Sequence, residues 1–388
     1  MTIRLVIFVE LPAVKHSSPV LADLQRRLLL KRSLLLSAAV MLPPARVMAA
    51  GNGSDVLLGG GRFQTSPGAE MKYVLSQVKP DTGEVKTIAA TFFPHGCAFS
   101  PRRKSLVYSF EKIGRGAALF DLERMETVRP IEPVKQRRFY GHGACTRDNQ
   151  YLFSTETSPD GKGAVGIRDP DSLQYLGDFP TYGDNPHECR LIDGDSVLMV
   201  TNGGGTAGSG IRGALCYIDV RTQKLLERSE MPDERFNTGH LFPLGERKAV
   251  VVSAPRLGLD QTHSGAVSIF HGHGDLQVMT VPEPVVSRMV GESLSVTAVP
   301  HKDLFIVTHP TPGMLTFWSV SSLQYRGHLM AENARGVALS EDQNRVWVSC
   351  GRRADIVALN PDTLTLDDRP AVSMSYITGS HLINTGLL

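Results

Sequence analysis

Three observations in the sequence predict an all-β chain whose sheets close into a ring. Short strand-like runs recur throughout, they repeat at roughly 45 residues, and the two chain ends complete each other. The first runs, rich in Val, Ile, Phe, Tyr and Thr, lie at 105–110, 151–155, 197–201, 249–253, 304–308 and 346–349. β-branched and aromatic residues suit a pleated, half-buried surface, and no 3.6-residue apolar pattern competes with them. Each is followed by a polar or Gly-rich loop and a second run opening with Gly or Ala: 116–121, 163–169, 213–219, 265–271, 313–319 and 354–360. A third, more polar run follows each pair.

The fourth element precedes each first run. It reads His95-Gly-Cys-Ala-Phe, His142-Gly-Ala-Cys-Thr, His187-Glu-Cys-Arg-Leu, His240-Leu-Phe-Pro-Leu, Ser295-Val-Thr-Ala-Val, Arg335-Gly-Val-Ala-Leu and His381-Leu-Ile-Asn-Thr. Successive spacings are 47, 45, 53, 55, 40 and 46. Four strands per unit at this period match a propeller blade, whereas a helical solenoid of similar period would show helical patterning. Seven segments predict a seven-bladed β-propeller of the quinoprotein, YVTN or WD40 type. The last segment stops after one strand, while residues 56–58, 72–78 and 85–91 supply three strands without a first. One blade should therefore join the C-terminal inner strand to the N-terminal strands and latch the ring, leaving no sheet edge open there.

Composition agrees with one folded domain over residues 51–388. The 388 residues are 41% hydrophobic and 21% charged, with 37 Gly and 24 Pro. Net charge is +2, and the basic first 50 residues leave the remainder at −3, which argues against a duplex nucleic-acid binder. No apolar run approaches the roughly 18 residues that span a bilayer as a helix. Residues 1–50 read as an upstream extension and an export signal: Gln25-Arg26-Arg27-Leu28-Leu29-Leu30-Lys31, an uncharged stretch over 33–42, and the small residues of Val47-Met48-Ala49-Ala50. Paired arginines before leucines resemble the twin-arginine class, so a periplasmic location is expected. Cys97, Cys145, Cys189, Cys216 and Cys350 are odd in number and form no CxxC, so thioredoxin chemistry and covalent haem attachment lack support and buried free thiols are expected. Gly59-Gly60-Gly61 and Gly203-Gly204-Gly205 precede strands and read as hairpin turns, not phosphate loops.

The candidate site follows from the register of the repeat. His95, His142, His187, His240 and His381 occupy equivalent positions at the start of inner strands, so they should ring the central axis near one face. Antiparallel pairing returns the second strand to that face, bringing Glu156 and His309, with Glu188 beside His187. Imidazoles with a carboxylate suit iron, copper or zinc, or an axial haem position. Acid–base chemistry with His142 or His187 as base and Glu156 or Glu188 as partner is the enzymatic alternative. A histidine there can also simply hydrogen-bond the neighbouring blade and hold the ring together.

Arg138-Phe-Tyr-Gly-His142-Gly, Ser154-Thr-Glu-Thr157, Pro186-His-Glu-Cys-Arg190 and Thr201-Asn-Gly-Gly204 together resemble a bacterial family known as domain of unknown function 1513, over nearly all of residues 55–388. The resemblance implies a propeller with a twin-arginine leader, encoded beside imelysin-like iron-regulated proteins and dihaem peroxidase-like proteins, and hence a role in periplasmic iron acquisition. Cys189 departs from the family's usual Leu, and the loop 203–213 is shorter than its His-bearing counterpart. The expectation is a periplasmic binding or accessory protein with a His-lined site for metal or haem. The alternatives are a hydrolase or oxidoreductase of lactonase or quinoprotein type, or an interaction scaffold.

Overall fold

The computed structural model describes residues 55–387. The export signal expected over residues 1–50 lies outside them. The described chain is almost entirely β-sheet, arranged as a propeller-like ring. The predicted runs appear as strands with shifts of a few residues at their ends: Leu152–Thr157 pairs with Lys162–Arg168, Val197–Asn202 with Ala214–Asp219, and Leu304–His309 with Met314–Trp318. Their central residues are buried almost without exception, so the apolar core lies between the faces of adjacent sheets.

The expectation of seven separate blades needs correction. Five four-stranded sheets stand alone, and the other eight strands form one continuous sheet. The cause is the nine-residue strand Leu106–Gly114, which outruns its own partners and pairs with Arg138–Cys145 through Lys112↔Tyr140 and Gly114↔Phe139. The repeat spacing carries no sign of this bridge.

The ring closes as expected. Ile383–Asn384 pairs with Leu57–Phe63, whose other edge pairs with Lys72–Lys79. Asp55 secures the seam, accepting hydrogen bonds from Trp347 Nε1 at 2.7 Å and Asn384 Nδ2 at 2.6 Å. The reading of Gly59-Gly60-Gly61 as a turn is wrong. All three lie within Leu57–Phe63, and a Cβ on Gly60 or Gly61 would collide with the carbonyl of Pro94 or Tyr376. These glycines admit close backbone approach, and their sequence looks the same as that of a hairpin. Gly203-Gly204-Gly205 does follow a strand as a loop.

Threonine hydroxyls about 13 residues after three of the inner-strand positions tie neighbouring sheets. Thr155 Oγ1 donates to the carbonyls of His142 at 3.2 Å and His187 at 2.9 Å. Thr201 Oγ1 reaches Gly239 O at 2.6 Å, and Thr308 Oγ1 reaches Arg335 O at 2.7 Å. The inner strands at His187, Gly239 and Arg335 are thus held by the second strand of the preceding repeat.

Candidate metal centre

Five inner strands deliver the histidines. His95, His142 and His187 lie in Pro94–Phe99, Arg138–Cys145 and Pro186–Ile192, while His240 and His381 stand just before Leu241–Gly245 and Ile383–Asn384. At the first three, pairing with the second strand breaks register, between Pro94 and Gly96, Phe139 and Gly143, and Pro186 and Cys189. A bulge leaves its extra residue out of the ladder and re-aims the side chain. Glycine supplies the space: a Cβ on Gly141, at φ 109°, would lie 2.6 Å from His95 Cδ2, and one on Gly96 would lie 2.6 Å from His142 Nδ1.

All five imidazoles are buried and meet at the axis. One ligand atom each from His95, His142, His187 and His240 falls within 4.8 Å of the others. His240 Nε2 is the hub, with His187 Nε2 at 2.9 Å, His381 Nε2 at 3.0 Å and His95 Nε2 at 3.4 Å. His240 Nε2 carries a single lone pair or a single proton, so it makes a hydrogen bond with one of the three rings and leaves the other two close contacts unsatisfied. Nitrogens bound to one ion at about 2.1 Å, with angles of 90 to 110°, would stand about 3.0 to 3.4 Å apart. His142 Nε2 is buried without a hydrogen-bond partner.

The outer contacts settle the tautomer of the hub. His240 Nδ1 pairs with the carbonyl of Leu294, which can only accept, so the proton sits on Nδ1 and Nε2 presents its lone pair inward. A carbonyl behind a ligating imidazole is the usual support for a metal-bound histidine. Burial, reinforced by the neighbouring imidazoles and Lys112, holds His95, His142, His187 and His381 well below the ordinary histidine pKa. Burial lowers His240 too, with Glu188 opposing. Neutral imidazole is the ligating form, so desolvation prepares the donors.

Three expected residues fall elsewhere or in other roles. Glu156 is buried against Arg168 Nη1 at 2.7 Å, with Arg137 Nη1 at 3.7 Å and Ser154 Oγ at 2.9 Å, and it meets no histidine of the cluster. The one-residue alternation of Leu152–Thr157 turns its side chain into the sheet interior, beside Arg168. His309 is a core residue, its ring held between Ser293 Oγ at 3.1 Å and Thr316 Oγ1 at 2.9 Å, and burial pulls its pKa down to about 3. Glu188 is near the cluster but engaged, bound to Arg190 Nη2 at 2.6 Å and accepting from Leu241 N at 2.8 Å. Neither carboxylate hydrogen-bonds a cluster histidine, so the base–carboxylate couple of the enzymatic alternative is not assembled.

His187 and His240 also line a cavity of about 380 Å³, with Lys112, Tyr140, Asn185 and Glu292 among its walls. The loops 203–204 and 255–259 form its far side, while His263 lies in another cavity and pairs with Asp260. Lys112, Tyr140 and the Leu294 carbonyl were not foreseen. Lys112 sits in the strand extension described above, and a carbonyl leaves no mark in sequence. The five cysteines are free, and burial raises Cys97, Cys145, Cys189 and Cys216 to about 12 and Cys350 to about 11.

The fold and site together define a β-propeller with a buried histidine cluster. The chain belongs to the family described as Protein of unknown function (DUF1513), whose model matches residues 93–376. No curated protein matches it. Among solved structures it is similar to the hydrazine synthase of Kuenenia stuttgartiensis, at 10% identity and a TM-score of 0.58, over 83% of this chain and 99% of that one. At that identity the likeness concerns the fold. Among the described residues no helix is long and apolar enough to cross a membrane.

Proposed function

We propose that this chain is a periplasmic metal-binding accessory protein that holds one divalent transition-metal ion among His95, His142, His187, His240 and His381. The carrying observation is the convergence on His240 Nε2 of three other imidazole nitrogens at 2.9 to 3.4 Å, a crowding that a cation relieves. In this reading the eight-stranded sheet acts as two repeats, so seven inner-strand positions face the axis and five carry imidazole.

Neutral nitrogen donors without thiolate suit iron, copper, nickel or zinc. Nine of the ten ring pairs have centroids 4.3 to 5.5 Å apart and leave no space for a macrocycle, so a bare ion fits better than haem. The link to iron acquisition, and imelysin-like or dihaem peroxidase-like proteins as partners, rest on the sequence resemblance and on the twin-arginine-like leader, which would carry a folded, loaded protein across the membrane.

Elemental analysis of the exported protein, with calorimetric titration of Fe(II), Cu(II) and Zn(II), tests the reading. One ion per chain is expected, with affinity falling at least about 100-fold in His187→Ala/His240→Ala, more than loss of a supporting contact costs. Absence of stoichiometric metal, with titrations unchanged in the double variant, would sink it.

A further inference from the structure

The cavity beside the cluster is lined by two cationic side chains, Lys112 and Arg256, against one carboxylate, Glu292. Glu188 is neutralised by Arg190 at 2.6 Å, and Glu292 faces Arg335 at 3.8 Å. The Lys112 ammonium makes no hydrogen bond or ion pair within 4 Å among the described residues, and Glu292, the carboxylate that acts on it from farther away, is shared with Arg335. Lys112 is exposed at the cavity mouth, and its charge is felt by all five imidazoles. The Tyr140 hydroxyl, on the same wall, likewise has no hydrogen-bond partner among the described residues.

An ammonium held this way opposes any cation placed among the imidazoles. Every donor in the cluster is neutral, and the two nearby carboxylates, Glu188 and Glu292, already face Arg190 and Arg335, so a divalent ion would bring two further positive charges that its ligands do not offset. Coulomb repulsion in a partly dehydrated pocket exceeds its value in water several-fold. The balance is restored by an anion that bridges the ion and Lys112, and the cavity provides the approach, because only His187 and His240 of the five face it.

Resting on the metal reading above, we infer that the cavity is a binding site for a small carboxylate or comparable oxyanion, which enters between Lys112 and Tyr140 and completes the coordination of the ion. Lys112 supplies the counter-charge and the Tyr140 hydroxyl a hydrogen bond to the second oxygen. The volume of about 380 Å³ admits a metabolite-sized acid and excludes a folded polypeptide. The apolar rim residues Leu257 and Leu259 would meet the carbon part of such an acid.

The test separates the two proposals through opposite signs in one variant. Cu(II)-loaded wild-type protein and Lys112→Gln are titrated with sodium azide and then with sodium acetate, following the absorption of the bound copper, while calorimetry gives copper affinity without added anion. Wild type should develop a saturable azide-dependent charge-transfer band that acetate competes away. Lys112→Gln should bind azide at least 10-fold more weakly while holding copper as tightly or more tightly, because repulsion is relieved. Tyr140→Phe should weaken acetate more than azide. A wild-type spectrum insensitive to both anions, or equal azide affinity in Lys112→Gln, overturns the anion site and leaves the metal centre standing. Failure to bind copper at all overturns both.

Discussion

His240 concentrates the chemistry of this protein in one ring. Its Nδ1 proton is committed to Leu294, so its Nε2 can only accept, and three other imidazoles are turned toward it. An unmet polar group in a buried site costs about 1 to 3 kcal/mol, a cost that the proposed ion would offset at His142 Nε2. The geometry depends on glycines as much as on histidines. Gly141→Ala adds a methyl 2.6 Å from His95 Cδ2, at a φ of 109° that side chains rarely adopt. It should lower metal affinity by about 10- to 100-fold without removing a ligand, and cost roughly 1 to 3 kcal/mol of stability. Calorimetric titration and urea melts read the two effects separately; unchanged metal affinity would show that the ring of His95 takes no part.

At the scale of elements, the inner strands owe their position to hydroxyls on the strands beside them. Thr155 Oγ1 ties His142 and His187, which belong to consecutive repeats, at the axial end of a seam that Asn202 Nδ2 and Tyr182 OH also cross. Thr155→Val preserves shape and strand propensity but leaves buried carbonyls without a donor. We expect a loss of about 1 to 3 kcal/mol in urea unfolding, with weaker metal binding because His187 is no longer held in register with His142. Thr222→Val, at an exposed turn where the hydroxyl binds only Asp219, is the control and should change stability far less. Strand positions could be read to within a few residues, since alternation and β-branched content are local properties. The bulges at His95, Tyr140 to His142 and His187 could not be, because they arise when two strands of unequal length are matched across a ladder.

For the whole molecule, the cluster makes stability depend on pH in a stated direction. The folded-state pKa values of all five imidazoles lie below the ordinary 6.5, chiefly through burial. The unfolded chain therefore takes up protons first as pH falls. Stability is fully present above about pH 6.5 and declines below it, by up to about 1.4 kcal/mol per pH unit for each ring that stays neutral in the fold. His309, lowered to about 3, adds to the same trend. The metal-free protein should show a falling thermal midpoint between pH 7 and pH 5. Metal at 100 times its dissociation constant should add about 2.7 kcal/mol at neutral pH, partly by tying the C-terminal segment of His381 to the other inner strands. A midpoint independent of pH and of metal would contradict both the burial and the coordination.

The repeat, the all-β character and the latching of one chain end onto the other were determined by the sequence itself, because period, strand propensity and missing strands are properties of residue order. The equivalence of the five histidines was legible for the same reason. The tertiary structure alone decided which groups share the axis. It sent Glu156 to Arg168 and His309 into the core, merged two repeats through one long strand, and set Lys112 beside the imidazoles. Those outcomes depend on strand length, bulges and close backbone approach between residues far apart in the chain, and such contacts have no period to betray them.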